Sequence, residues 1–422
     1  MGQTAARPVP ADHSAASAGA YRAVGSGPGD GLRRGDGADL VESVNDRGPA
    51  ARSGVRPFLH PLAAARLSGL VRTVVDHGGV SPRYAAQLGV MAVACLLRWP
   101  MCALEAARVA RRVAKVHFDP PPVFIVGHWR SGTTYLHHLM SLDPAFCFPT
   151  LLDVYRPYDF LPSPLAVISE KILLRSLPET RPMDSVPLRP GLPQEEEAAL
   201  AAMGAPSFFN CLYFPHRMSA VFEREVLLAD DETPATQRWR DCLRYFLAKL
   251  LVANPGRRLL LKNPANSGRV RALRAMFPGA KFVHIHRNPL AVFASTRKLY
   301  HRLLPLLALQ PYRMDAVDAH ILWAYPTLMD RLLDDLASLP EGDVIEIAYD
   351  ELLRDPAGVL ARIYGTLGLG EVDLAKCSMS RFAAMGPAVP TAGPDSREAG
   401  LRRAAEAWRR QAERLGYLLQ VG

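Results

Sequence analysis

Residues 121–142, PPVFIVGHWRSGTTYLHHLMSL, decide how the rest of the chain is read. Val123–Val126 is a short apolar, β-branched run behind two prolines, the composition of a strand buried on both faces. Gly127 ends it, and from Thr133 onward Leu136, Leu139 and Met140 fall at helical spacing. The predicted unit is therefore strand, glycine-bounded loop, helix. Free N–H groups of the loop and first helical turn converge on one spot, and the helix dipole adds partial positive charge there, so the loop is an anion site.

Gly127 and Gly132 give this loop the outline of a phosphate-binding loop, but Thr133-Thr134 stands where an NTPase carries Lys followed by Ser or Thr. In an ATPase or kinase that lysine reaches the β/γ-phosphates and the next hydroxyl holds Mg²⁺. Here the fixed charge is Arg130, whose fork of donors suits a compact tetrahedral anion with no metal needed.

Two stations downstream repeat the theme. Leu259-Leu260-Leu261-Lys262 reads as an apolar strand that ends in a cation, followed by Asn263-Pro264 and a helical pattern over 269–277. A lysine at the carboxyl end of a buried strand points into the crevice where parallel α/β sheets bind ligands. Residues 282–285 form another strand, with Arg287 at its end, Pro289 suited to a first helical turn and Ser295 on the helix that follows. Arg287 and Ser295 can face one anion together.

These residues carry a resemblance. GHWRSGTTYL resembles the 5′-phosphosulfate loop of sulfotransferases that use 3′-phosphoadenosine 5′-phosphosulfate (PAPS), in the branch with Arg at the charged position. KFVHIHRNPLAVFASTRKLY is similar to the 3′-phosphate site of the same family, in the same order along the chain. The resemblance covers residues 121–369, and the helix-rich segment before it looks like bacterial members of the branch that includes tyrosylprotein and carbohydrate sulfotransferases. It implies an α/β, P-loop-like three-layer domain with a central, mostly parallel sheet flanked by helices. It also implies PAPS as co-substrate, without a metal, for in-line sulfuryl transfer to a hydroxyl or amine. Carried over residue by residue, the PAPS-binding set is Arg130, Ser131, Gly132, Thr133, Thr134, Tyr135, Arg287, Ser295 and, in a Tyr-acid-acid-Leu setting, Tyr349. Lys262, in Lys-Asn-Pro, matches the lysine that stabilises the transferring sulfuryl group in tyrosylprotein sulfotransferases.

The chain departs from the pattern in two places. Tyrosylprotein sulfotransferases carry a glutamate base shortly after the 5′ motif, where this chain has Thr150-Leu151-Leu152. The base is then sought among Glu195, Glu196 and Glu197, then Asp153 and His128. The three glutamates follow Pro193 at the start of a helical pattern, where acidic residues favour the dipole and need no other job. Beside an anion site, however, they cost affinity unless one of them does proton chemistry. His128 serves either as a site group or as a packing ring. The second departure is the missing basic Arg/Lys-Gly loop that closes over PAPS in cytosolic sulfotransferases, for which Arg397, Arg402 and Arg403 are candidate substitutes.

With 422 residues, 49% hydrophobic, the chain can bury a large α/β core. Its formal charge of +9 fits an anionic cofactor, substrate or lipid; basic residues are not interleaved with aromatics, which disfavours nucleic acid. Six cysteines without CxxC or Cys/His spacing read as core thiols in a reducing, cytoplasmic setting. Residues 1–55, rich in Ala, Gly, Ser and Pro, are expected to be disordered, with a helical extension over 56–118 and the catalytic domain over 119–420. No apolar run behind Met1 suggests a secretory signal.

Within the extension, Leu62, Leu67, Leu70, Val71, Val74 and Val75 predict one apolar face, stopped by Gly78-Gly79. Residues 88–97 carry no charge and are closed by Arg98, Trp99 and Pro100; the run is short of the roughly 20 residues that span a bilayer. A helix packed across the domain is the preferred reading, and peripheral membrane contact through 61–115 the alternative. Phe146–Phe160 and Phe208–Phe214 suggest a partly apolar acceptor, whether small molecule, lipid or carbohydrate. The competing function classes are a nucleotide kinase or ATPase, for which both the loop lysine and a strand-end metal-binding Asp are missing, and a non-catalytic PAPS-binding module at a membrane surface.

Overall fold

The computed structural model describes residues 60–161, 164–176, 190–228, 233–371 and 398–419, all within one compact unit, Arg47–Gly422. The expected disorder of 1–55, the loop over 386–396 and Arg397 lie outside the described residues.

Five parallel strands form the centre: β1 (Val123–Val126), β2 (Phe146–Cys147), β3 (Arg258–Lys262), β4 (Lys281–His286) and β5 (Val344–Ala348), in the spatial order β2-β3-β1-β4-β5. Every residue of β1 is buried, as a central parallel strand requires. Because side chains alternate along a strand, Val123 and Ile125 join one apolar cluster while Phe124 and Val126 join another. The first cluster is covered by α3 (Thr133–Met140) and the helix Pro356–Leu367. The second is covered by the helices Pro234–Ala253, Val270–Met276 and Met314–Ala337 and by the N-terminal helices. The result is the expected three-layer α/β arrangement. Register brings Ile125 beside Lys262, Val126 beside His284 and His286 beside Ala348, so the residues that follow each strand emerge along one edge of the sheet.

Several elements differ from expectation. The two-residue β2 is not marked by the sequence, because it is too short to show a period. After β5, Asp355-Pro356 divides the chain into two helices, Tyr349–Arg354 and Pro356–Leu367, with the Asp355 side chain capping the second. The apolar stretch 88–97 is not closed at Pro100. It continues as α2, Ala85–Val113, a 29-residue helix that includes the proline. Side chains on both sides of Pro100 hold the helix to the domain: Arg98 pairs with Asp159 at 2.5 Å, and Glu105 pairs with Lys249. The proline's missing N–H falls on the exposed side, where water can satisfy the freed carbonyl. The preceding segment is a short turn, Pro61–Ala64, and then α1, Leu67–Asp76. Leu62 and Leu70 are buried, whereas Leu67, Val71 and Val75 are exposed, so the single apolar face read from the sequence is divided between core and surface.

Candidate active site

The loop between β1 and α3 is shaped by two glycines and one strained arginine. Gly127 has φ 141°, and a Cβ there would lie 2.2 Å from the Ile285 carbonyl oxygen of β4; only glycine lets the loop leave β1 against its neighbour. Gly132 caps α3 at φ 101°, and a Cβ there would meet the Tyr349 ring at 2.2 Å. Arg130 also has positive φ, 71°, a conformation that non-glycine residues rarely hold and that clusters at functional loops. The loop is pinned from behind by buried Ser267. Its hydroxyl accepts from Gly127 N at 2.8 Å and donates to Gly127 O at 3.1 Å. Ser131 Oγ donates to His128 O at 2.7 Å, which tightens the turn.

Around this loop the structure gathers residues that are far apart in sequence. Arg130 Nε donates to Ser295 Oγ at 2.8 Å. The Arg287 guanidinium lies over the Tyr349 ring, 4.8 Å from its centroid, and that ring in turn covers Gly132. Thr133 is buried, and Thr134 and Tyr135 are half-buried in the first turn of α3. Lys262, the last residue of β3, is almost wholly buried and forms an ion pair with Glu195. Glu195 arrives there because its segment pairs with the chain after β2: Thr150 bridges Pro193 in antiparallel fashion, and Gln194 N donates to Pro149 O at 2.8 Å.

The three consecutive glutamates separate into distinct environments. Glu197 is fully buried, paired with Arg269 at 3.0 Å, and accepts from Asn263 Nδ2 at 2.5 Å and from Phe208 N at 2.6 Å. Glu196 is also buried and accepts from Asn266 Nδ2 at 2.7 Å and Asn263 Nδ2 at 3.2 Å. Burial raises its carboxyl to about 6, with Glu197 adding to the rise and the two amides opposing it. Of the three, Glu195 alone is half-buried, its side chain 28% exposed, and it faces Lys262. Of the other base candidates, Asp153 is tied up in a helix capping box, its Oδ2 accepting from Thr150 N at 2.8 Å and from Thr150 Oγ1 at 2.7 Å. The His128 ring is buried between Trp129 and Tyr325, with Nδ1 2.8 Å from Trp129 O, and burial depresses it to about 4.

Asn263, Asn266, Ser267 and Arg269 were not marked as site-building residues by sequence reasoning. The available signal was the polar run KNPANSGR directly after an apolar strand, a composition that cannot be buried unless each group finds a partner. The aromatic stretch Phe208–Phe214 is also placed differently from expectation. Phe208, Tyr213 and Phe214 are core residues, so their apolar surface is used in packing.

A sheet edge that gathers Arg130, Lys262 and Arg287 around a glycine loop defines an anion-binding protein of the P-loop-like α/β class. Comparison with known proteins narrows the class: residues 121–373 match the Sulfotransferase family, and the chain belongs to that family. It is 33% identical over 263 residues to the omega-hydroxy-beta-dihydromenaquinone-9 sulfotransferase Stf3 of Mycobacterium tuberculosis, and equally to that of Mycobacterium bovis. The matched stretch covers 62% of this chain and 66% of those relatives. In fold, the chain is similar to the crystal structure of sulfotransferase STF9 from Mycobacterium avium, with TM-score 0.61 and 19% identity over 81% of this chain and 88% of that one. It is also similar to sulfotransferase STF1 from Mycobacterium tuberculosis H37Rv, with TM-score 0.56 and 18% identity over 81% and 91%.

Proposed function

We propose that this protein transfers the sulfuryl group of PAPS to a hydroxyl on a lipid-class acceptor, with Glu195 as general base and Lys262 as the principal charge stabiliser. The observation that carries the reading is the Lys262–Glu195 pair at the end of β3, beside a loop whose Arg130 is joined to Ser295. The residues present fit the donor. Gly127 and Gly132 allow the loop to pass close to Ile285 O and the Tyr349 ring, where a Cβ would clash, and Arg130, Arg287 and Ser295 supply donors suited to the phosphate-type groups of the donor.

PAPS, when bound, supplies the sulfuryl group and leaves as 3′,5′-ADP. Arg130 and the first-turn N–H groups of α3 hold the 5′ end, Arg287 and Ser295 the 3′-phosphate, and Tyr349 presents its ring to the adenine. Glu195 takes the proton of the acceptor hydroxyl as that oxygen bonds to sulfur and the bond from sulfur to the bridging oxygen breaks. Lys262 neutralises charge that builds on that oxygen and on the sulfuryl group; loss of one such donor typically costs about 100- to 1000-fold in rate. Its ion pair also holds the Glu195 carboxylate beside the end of β3. Glu196 and Glu197, held by Asn263, Asn266 and Arg269, fix the segment that presents Glu195. The Thr150–Pro193 bridge, which sets the Glu195 segment beside the stretch where tyrosylprotein sulfotransferases carry their glutamate, supports this choice of base.

The lipid class is supported by Stf3, whose name specifies omega-hydroxy-beta-dihydromenaquinone-9. The test is incubation of the protein with ³⁵S-labelled PAPS and a bacterial lipid extract, followed by separation into organic and aqueous phases. Label in an organic-phase product supports the assignment; label transferred only to water-soluble acceptors overturns the lipid class while leaving sulfuryl transfer standing.

A further inference from the structure

Helix α2 carries its buried and exposed residues on opposite sides, and its exposed side is apolar. Met91, Cys95, Cys102, Glu105 and Val109 face the domain. On the other side Val90, Val93 and Leu97 follow one another at helical spacing, flanked by Leu96, Trp99 and Leu104; Leu97 is 73% exposed and Trp99 64%. Soluble helices show the reverse, with charged residues outward. α1, which packs on α2, adds the exposed stripe Leu67, Val71 and Val75.

Charge identifies what this side fits. Past Leu104 the outward positions of α2 become cationic, with Arg108, Arg111 and Arg112 exposed and Lys115 just beyond. The one carboxylate of α2, Glu105, is turned inward onto Lys249. An apolar surface with an interfacial tryptophan and a cationic end, on a helix α2 free of outward carboxylates and beside an α1 whose exposed Asp76 lies 3.7 Å from Arg238, complements an anionic bilayer surface. Residues Pro82–Val113 are long and apolar enough, by length and composition, to cross a membrane. The ion pairs of the inward face argue against crossing. Arg98 holds Asp159, which is only 3% exposed on its side chain, and Lys249, wholly buried, holds Glu105 while donating to Pro157 O at 2.8 Å. Pulling α2 into a bilayer would leave both partners buried without a counter-charge.

We infer that the outward face of α2 is a docking surface for an anionic lipid bilayer, on which the helix lies in the plane of the interface while the domain stays in water. This inference does not depend on the reading of the active site.

Vesicle flotation of the full chain tests it without any nucleotide or acceptor. The protein is expected to float with vesicles of equal parts phosphatidylglycerol and phosphatidylcholine, and to bind pure phosphatidylcholine at least about tenfold more weakly. The double variant Leu97→Glu/Trp99→Glu should lose about tenfold or more of the binding to the anionic vesicles, with its affinity for 3′,5′-ADP unchanged as a check on folding. Failure of the wild type to bind anionic vesicles, or equal binding by the variant, overturns the inference. So does a dimer in solution that the same variant disperses, which would make a second copy of the chain the occupant.

Discussion

Glu195 and Lys262 are brought together from two separate segments, yet each is legible in the sequence for a different reason. Lys262 could be placed because an uninterrupted apolar strand leads into it. Glu195 is one of three candidates, since nothing in GLPQEEEAAL says which carboxylate stays out of the core to face Lys262. That choice depends on Arg269, Asn263 and Asn266, which claim Glu197 and Glu196 through tertiary contacts. Arg287 offers a test of the nucleotide's second end at this scale. Arg287→Ala should weaken 3′,5′-ADP about 10- to 100-fold, the worth of a charge-assisted hydrogen bond, and leave adenosine 5′-phosphosulfate nearly unchanged. Calorimetric titration of both ligands checks this. Equal losses for the two would move the 3′-phosphate away from Arg287.

At the scale of elements, the strand-loop-helix unit and the strands that follow it were readable because parallel strands buried on both faces leave continuous apolar runs. α2 runs on past Pro100, where local propensity would end a helix, because the Arg98–Asp159 and Glu105–Lys249 pairs hold it in line. Stability of the site's scaffold rests on a similar buried pair. Arg269 is wholly buried, shares Glu197 with Asn263, donates to Glu225 O at 2.5 Å and lies over Trp239. Arg269→Ala should therefore cost about 3–5 kcal/mol in denaturant unfolding, since it leaves the Glu197 carboxylate buried without its counter-charge. A loss under 1 kcal/mol would mean that water or Asn263 alone satisfies that carboxylate.

Over the whole molecule, acid stability follows from histidines that fold in the neutral form. Burial lowers His60 and His128 to about 4 and His320 to about 3, the last with a contribution from His128, against an ordinary value of 6.5. Between pH 6.5 and about 4 the unfolded chain binds protons that the folded chain refuses, so stability falls as the pH is lowered through that window. Thermal unfolding followed from pH 7 downward should show this decline, and His320→Gln should make it shallower; a slope that the variant leaves unchanged would exclude His320 as a source. Transfer chemistry requires the whole arrangement at once: a loop to hold the donor, a lysine to neutralise charge and a carboxylate to take the proton. The most direct test is label transfer from ³⁵S-PAPS under single-turnover conditions, comparing the wild type with Glu195→Gln at equal occupancy by ³⁵S-PAPS. The wild type should transfer label to acceptor, and the variant should bind the nucleotide equally well but transfer at least about 100-fold more slowly. Undiminished transfer by Glu195→Gln would contradict the assigned base, and no transfer by the wild type to any acceptor would contradict the function itself.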